Sequence, residues 1–235
     1  MHSPGIPLAD GGVFVRKWIL LLWLFLFADA QLLGNLRERT SLDVLQEAGI
    51  PRESFQEAGI SRKDALLYID FWEDLEYFPL AFPREGAETF SFEDGWHDKR
   101  SYGGERFHEG CDIFGSQNLT GYYPVVSITD GWVEQVGWLP LGGWRIGVRS
   151  HGGGYFYYAH LSSYGRDFQK GDPVKAGELL GFLGDSGYGP EGTTGMFAPH
   201  LHLGIYVETK ENPEYALNPY PVLQFLQEKQ KIFSY

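Results

Sequence analysis

From Thr89 onward, short runs of β-branched and aromatic residues alternate with glycine-rich breaks, a punctuation that favours strands and tight turns over helices. Val125-Val126-Ser127-Ile128 and Trp132-Val133-Glu134-Gln135-Val136 flank Asp130-Gly131, which predicts a hairpin. Trp144-Arg145-Ile146-Gly147-Val148 and Tyr155-Phe156-Tyr157-Tyr158-Ala159 flank His151-Gly152-Gly153-Gly154 and predict a second, with His160 at a strand end. A chain with 31 glycines and 16% aromatic residues suits such a fold. The expectation is a mainly β protein built on an antiparallel sheet. Residues 185–198 read as a loop, and Pro221 to Leu226 as a short helix with proline in its first turn.

The histidines fall at positions that this strand pattern orients. His200 and His202 are two apart in a strand-like run, so their imidazoles project to one face. His108 and Asp112 are four apart, a spacing that returns to the same face on a strand or a helix, and Gly110 between them favours a strand or turn. Imidazole nitrogen and carboxylate oxygen are zinc ligands, and a site with three protein ligands keeps a fourth position open for chemistry. Either pair alone arises by chance in many strands. Together with His160 they form a set that isolated structural roles would have to explain one by one. His2, His97 and His151 lie in polar, glycine-rich or terminal stretches and read as solvated.

These residues sit in a recognisable order. The runs Gly104-Glu105-Arg106-Phe107-His108-Glu109-Gly110-Cys111-Asp112-Ile113, Gly142-Gly143-Trp144, Tyr157-Tyr158-Ala159-His160-Leu161, Gly171-Asp172-Pro173-Val174-Lys175-Ala176-Gly177 and Pro199-His200-Leu201-His202-Leu203 resemble those of the lysostaphin-type (LytM-like) zinc metalloendopeptidases, over about residues 90 to 220. The resemblance implies an antiparallel sheet or sandwich of the duplicated hybrid motif type. It also implies zinc held by His108, Asp112 and His202, catalytic roles for His160 and His200, and the peptide part of bacterial peptidoglycan as substrate. Cys111 stands where a small aliphatic residue is usual and Leu203 where phenylalanine is commoner. Alternation turns Cys111 away from the face of Asp112, so it reads as a buried small hydrophobe.

Composition changes before Thr89. Arg16-Lys17 precede the apolar run Trp18 to Ala28, and Ala28-Asp29-Ala30 offers a small-x-small cleavage site, so residues 1–30 read as a signal peptide or, uncleaved, as a membrane anchor through residues 13–30. Either places the remainder outside the cytoplasm. Residues 31–88 read as a small helical N-terminal segment, either a spacer or pack-on subdomain or a pro-segment. Gln46-Glu47-Ala48-Gly49-Ile50 recurs as Gln56-Glu57-Ala58-Gly59-Ile60, Thr40 and Ser61 look like helix starts, and Ala65, Leu66, Ile69, Trp72 and Leu75 form a stripe of helical period. Residues 89–235 are then the zinc metallopeptidase domain.

Other classes fit less well. A formal charge of −12 leaves no basic field for a phosphate backbone, which excludes nucleic acid as a partner. The run Gly171 to Gly181 also resembles the strand-turn of lipoyl, biotinyl and phosphotransferase carrier domains, but neither methionine, Met1 or Met196, adjoins a lysine. A zinc-binding, non-catalytic wall-binding or amidase-activating module is the remaining alternative, and the complete histidine set argues against it.

Overall fold

The aromatic run Tyr155–Tyr164 forms the longest strand and lies inside the main sheet, where its alternation buries Phe156 and Tyr158 completely. The computed structural model describes residues 67–68, 70–83, 89–102 and 104–233, all within one compact unit, Gly49–Tyr235. In chain order the strands are β1 (Phe90–Phe92), β2 (Lys99–Arg100), β3 (Arg106–Phe107), β4 (Cys111–Gly115), β5 (Pro124–Val126), β6 (Gly131–Leu139), β7 (Gly143–Ser150), β8 (Tyr155–Tyr164), β9 (Pro173–Val174), β10 (Leu179–Leu183), β11 (Leu201–Val207) and β12 (Tyr215–Leu217). Ten of them join one antiparallel sheet, in the order β1-β4-β11-β8-β7-β6-β9, with β10 and β5 branching from β8 and β12 beside β11. β2 and β3 form a separate small hairpin. The mainly β, antiparallel architecture expected from the sequence is the one the chain adopts. The short helix at the C-terminus, Tyr220–Leu226, carries proline in its first turn as expected.

The core lies on the face of the sheet formed by Val133, Ile146, Val148, Phe156, Tyr158, Leu203 and Ile205, all fully buried. Residues 70–72, the end of a helical stretch, and the extended segment 75–83 close over it: Phe71 meets Phe156 edge-on at 5.5 Å, and Leu80 bridges to Val125. Each such aliphatic or aromatic side chain contributes about 1.5–3 kcal/mol through removal from water. Residues 1–66, with the expected signal or anchor, the repeated Gln-Glu-Ala-Gly-Ile and both helix starts, lie outside the described residues. Among the described residues no helix is long and apolar enough to cross a membrane.

The hairpin expected around Asp130-Gly131 does not form. β5 pairs with β10, whereas β6 pairs with β7 and β9. The backbone that would close that hairpin is committed elsewhere: the Ile128 N–H donates to Tyr158 Oη at 2.9 Å, and the Ile128 carbonyl accepts the Glu76 N–H at 2.9 Å. The Asp130 carboxylate accepts the Ala176 N–H and the Lys175 ammonium, both at 2.8 Å, so the turn docks onto the 175–178 loop. The β7–β8 hairpin forms as expected, across His151 to Gly154.

Tyr158→Phe removes the acceptor of a buried N–H and is expected to cost about 1–3 kcal/mol, read as a lower urea midpoint with an unchanged far-ultraviolet spectrum. A midpoint equal to that of the unsubstituted protein would show that this bond does not hold the 127–130 corner.

Candidate metal centre and cleft

β4 and β11 are antiparallel neighbours, and their register sets Asp112 directly opposite His202. Directly paired residues share a face, so carboxylate and imidazole meet, with His202 Nδ1 3.0 Å from Asp112 Oδ1. His108 arrives from the turn after β3 rather than from β4 itself. Its N–H donates to the Asp98 carbonyl and its own carbonyl accepts the His97 N–H, both at 2.9 Å, which fixes the ring as the third member. His108 Nε2 then lies 3.1 Å from Asp112 Oδ1 and 3.0 Å from His202 Nδ1. Gly110, between His108 and Asp112 in the chain, lets this happen, because a Cβ there would collide with the His202 ring.

The donor chemistry suits a cation. The Gly95 carbonyl, which only accepts, lies 3.0 Å from His108 Nδ1, so the ring proton is assigned there and Nε2 turns a lone pair toward the Asp112 oxygen. Arg100 Nη2, also 3.0 Å from that Nδ1, is engaged by Asp112 Oδ2 at 2.9 Å. Two acceptors facing each other at 3.1 Å repel unless a positive centre lies between them. Ligand atoms about 2.0–2.1 Å from a tetrahedral zinc stand roughly 3.3 Å apart, within a few tenths of an ångström of this triangle. Burial alone would raise the pKa of Asp112, but the imidazoles of His108 and His202 against it, with positive charge on His202 or His200, hold the carboxyl well below the usual carboxylate range. Desolvation lowers the pKa of His202, which keeps the ring neutral and able to ligate. Among the described residues this is the one such group of three.

His160 and His200 join the cleft by different routes. His200 precedes β11 by one residue and shares the face of His202, with Nε2 3.7 Å from Asp112 Oδ1. His160 is inside β8, not at its end. Tyr157 and His160 both line the cleft, although residues three apart in a strand face opposite ways. The register shift between Trp144 and Ile146, against Leu161 and Tyr158, absorbs the extra residue, and His160 sits in that bulge at φ 64°. Each ring is held by a backbone carbonyl, Ser186 for His160 Nδ1 and Ala198 for His200 Nδ1, both at 2.8 Å, which leaves each Nε2 as a base. Burial pushes His160 down to about 3 and also lowers His200. The two rings are 4.8 Å apart.

All five sequence-selected residues line one cleft of about 360 Å³, as do Arg100, Arg106, Tyr157 and Phe197, which the sequence did not single out for the site, and Tyr188, an aromatic residue that the sequence offered as a cleft wall but that core packing would equally explain. Ser186 was also missed: its hydroxyl donates to the Leu161 carbonyl at 2.6 Å and accepts the Trp144 N–H at 3.0 Å, which positions the carbonyl that holds His160. Gly143, at φ 65°, packs so close to Ser186 that a Cβ would overlap it. Only the Gly142-Gly143 run signalled this contact in advance. Cys111 is buried with its thiol against the Glu93 carbonyl at 3.3 Å, and burial raises it to about 12, so it is an inert part of the core.

The model of Peptidase family M23 matches residues 106–214. The chain is 43% identical over 144 residues to the L-Ala--D-Glu endopeptidase of Bacillus subtilis, covering 61% of this chain and 43% of that protein. It is 35% identical over 119 residues to the lysostaphin of Staphylococcus simulans, covering 50% of this chain and 21% of that protein. It therefore spans less than half the length of either relative. A crystal structure from Ruminococcus gnavus, assigned as a glycyl-glycine endopeptidase lytM, superposes with a TM-score of 0.66 at 48% identity, over 78% of this chain and 74% of that one.

Gly110→Ala is expected to displace the His202 ring and weaken retention of zinc at least about tenfold, measured by competition with a chromogenic chelator. Unchanged retention would mean that His202 is not held where the close approach to Gly110 places it.

Proposed function

We propose, because the chain belongs to peptidase family M23, that it is a zinc-dependent metalloendopeptidase that hydrolyses peptide bonds of peptidoglycan. The observation that carries this is the convergence of His108 Nε2, Asp112 Oδ1 and His202 Nδ1 to within about 3 Å of one another, on the wall of a cleft that also holds His160 and His200. Those three residues would hold a zinc ion, which when bound would supply Lewis acidity toward a carbonyl or a water molecule.

The remaining steps belong to the chain's own groups. His160 and His200 enter the reaction neutral, since burial disfavours their protonation, and each presents the Nε2 lone pair while its Nδ1–H donates a hydrogen bond to a backbone carbonyl. One takes the proton of the attacking water. A proton then passes to the departing amine from the imidazolium so formed, and the other ring donates to the oxygen on which negative charge develops only in its doubly protonated form, with N–H at Nε2 as well as at Nδ1. Tyr188 and Phe197 pack against His160 at 6.1 and 4.5 Å between ring centres, which keeps bulk water from that side.

Residues 1–30 export this domain or tether it to the outer face of a membrane, where peptidoglycan lies. Residues 31–88 lie between the two in the chain, as a spacer or pack-on segment or as a pro-segment, with 70–83 packed on the sheet. The net charge of −12 suits a partner that is peptide and not nucleic acid.

His200→Ala is expected to keep zinc and lose at least about a hundredfold in rate, whereas His202→Ala loses both metal and hydrolysis. Mass spectrometry of peptides released from purified cell walls, with and without chelator, reads the hydrolysis, and elemental analysis reads the metal. Full release by either variant, or release indifferent to chelator, contradicts the assignment.

A further inference from the structure

Five arginines occur among the described residues, and three of them are ion-paired: Arg100 with Asp112, Arg149 with Glu134, and Arg166 with Asp172 and Glu178. Arg145, on β7, lies outside the cleft. Arg106 is different, because it lines the cleft beside His108 and no carboxylate of the described residues is within ion-pairing distance of it. Its Nη2 donates to Tyr188 Oη at 3.3 Å, a long bond, and its Nε is buried with no acceptor at all. A half-buried guanidinium has five N–H donors and keeps its full charge, and with a single protein acceptor for them Arg106 has donors and charge left to offer an anion in the cleft.

The surroundings hold Arg106 in place for that purpose. The guanidinium carbon stands 6.0 Å from the centre of the Tyr188 ring. Tyr188 is fixed at φ 57°, a conformation that bulky residues rarely adopt, and its other neighbours are Tyr102, stacked at 4.2 Å, and Phe197. The Tyr102 hydroxyl donates to the Tyr188 carbonyl, so the β2–β3 hairpin that carries Arg106 is joined to the loop that carries Tyr188. The same Tyr188 ring meets His160, so the unpaired cation and the proposed base both lie about 6 Å from the centre of one ring.

We propose that Arg106 is the specificity-determining residue of this cleft and receives a carboxylate that the substrate peptide carries beside the cleaved bond. This deepens the hydrolase reading above and rests on it. Elsewhere the protein repels such a group, since its net charge is −12 and Glu109 also lines the cleft. Arg106 offsets that repulsion at one point and supplies paired N–H groups that a carboxylate can accept. A glycine bridge has no internal carboxylate to offer, whereas an L-Ala–D-Glu peptide does. The cleft therefore selects acidic peptides over oligoglycine.

The test uses the zinc-loaded protein and four synthetic peptides: one containing L-Ala–D-Glu, the same peptide with the D-Glu carboxyl amidated, the same with only the C-terminal carboxyl amidated, and pentaglycine. The unsubstituted protein is expected to prefer the free D-Glu peptide over its side-chain amide by at least about tenfold in kcat/KM, which corresponds to about 1.4 kcal/mol. Arg106→Met should collapse that ratio toward one, and Arg106→Lys, which keeps the charge without the fork, should give an intermediate ratio. If the C-terminal amide alone abolishes the preference, the carboxylate in question is the peptide terminus and the D-Glu assignment falls. Binding of the same peptides to zinc-loaded His200→Ala, with and without Arg106→Met, is read by calorimetry and needs no turnover. A binding preference that Arg106→Met removes, with no cleavage by the unsubstituted protein, overturns the hydrolase reading and supports Arg106. Equal binding and equal cleavage of acid and amide overturn the role of Arg106 and leave the hydrolase reading standing.

Discussion

One carboxylate oxygen, Asp112 Oδ1, is the point on which the cleft is organised. It lies 3.0 Å from His202 across the β4–β11 ladder and 3.1 Å from His108 across the turn at Gly110, while Oδ2 takes Arg100. Strand register makes this arrangement all-or-none. A slip of one residue would turn Asp112 into the core and bring Cys111 or Ile113, which the core now buries, out to the cleft. The sheet is thus the device that holds the ligand set, and its apolar face, covered by residues 70–83, is what keeps that register from slipping.

Two irregularities finish what the ladder begins. The bulge in β8 turns His160 to the side that alternation would deny it, at the cost of a left-handed backbone on a residue with a side chain. Ser186 secures that conformation, its carbonyl holding the ring and its hydroxyl tying β7 to β8. The desolvation that keeps His160 and His200 neutral follows from the aromatic rings placed against them, so the walls of the cleft and its chemistry are one design.

What was legible in the sequence was what depends on local periodicity. His200 and His202 share a face because a strand has period two, and the return of His108 and Asp112 to one point survived the substitution of a turn for a regular strand. The placement of His160 was only half legible: its strand was evident, but the bulge that aims it is set by β7 opposite Leu161 and Tyr158, a long-range fact. Asp130-Gly131 misled because a local turn signal says nothing of Glu76, Tyr158 and Ala176, which capture that backbone from elsewhere in the chain. Arg106 was invisible for a similar reason, since being unpaired is a property of everything around it. The C-terminal helix, signalled by a proline at its start, was legible throughout.

The central claim is that His108, Asp112 and His202 ligate one zinc ion. Diffraction from crystals of the purified protein, recorded on both sides of the zinc absorption edge, tests it most directly. A single anomalous peak roughly 2.0–2.2 Å from His108 Nε2, an Asp112 oxygen and His202 Nδ1 is the expected result. No peak there after growth with zinc, or a peak ligated by other side chains, would contradict it.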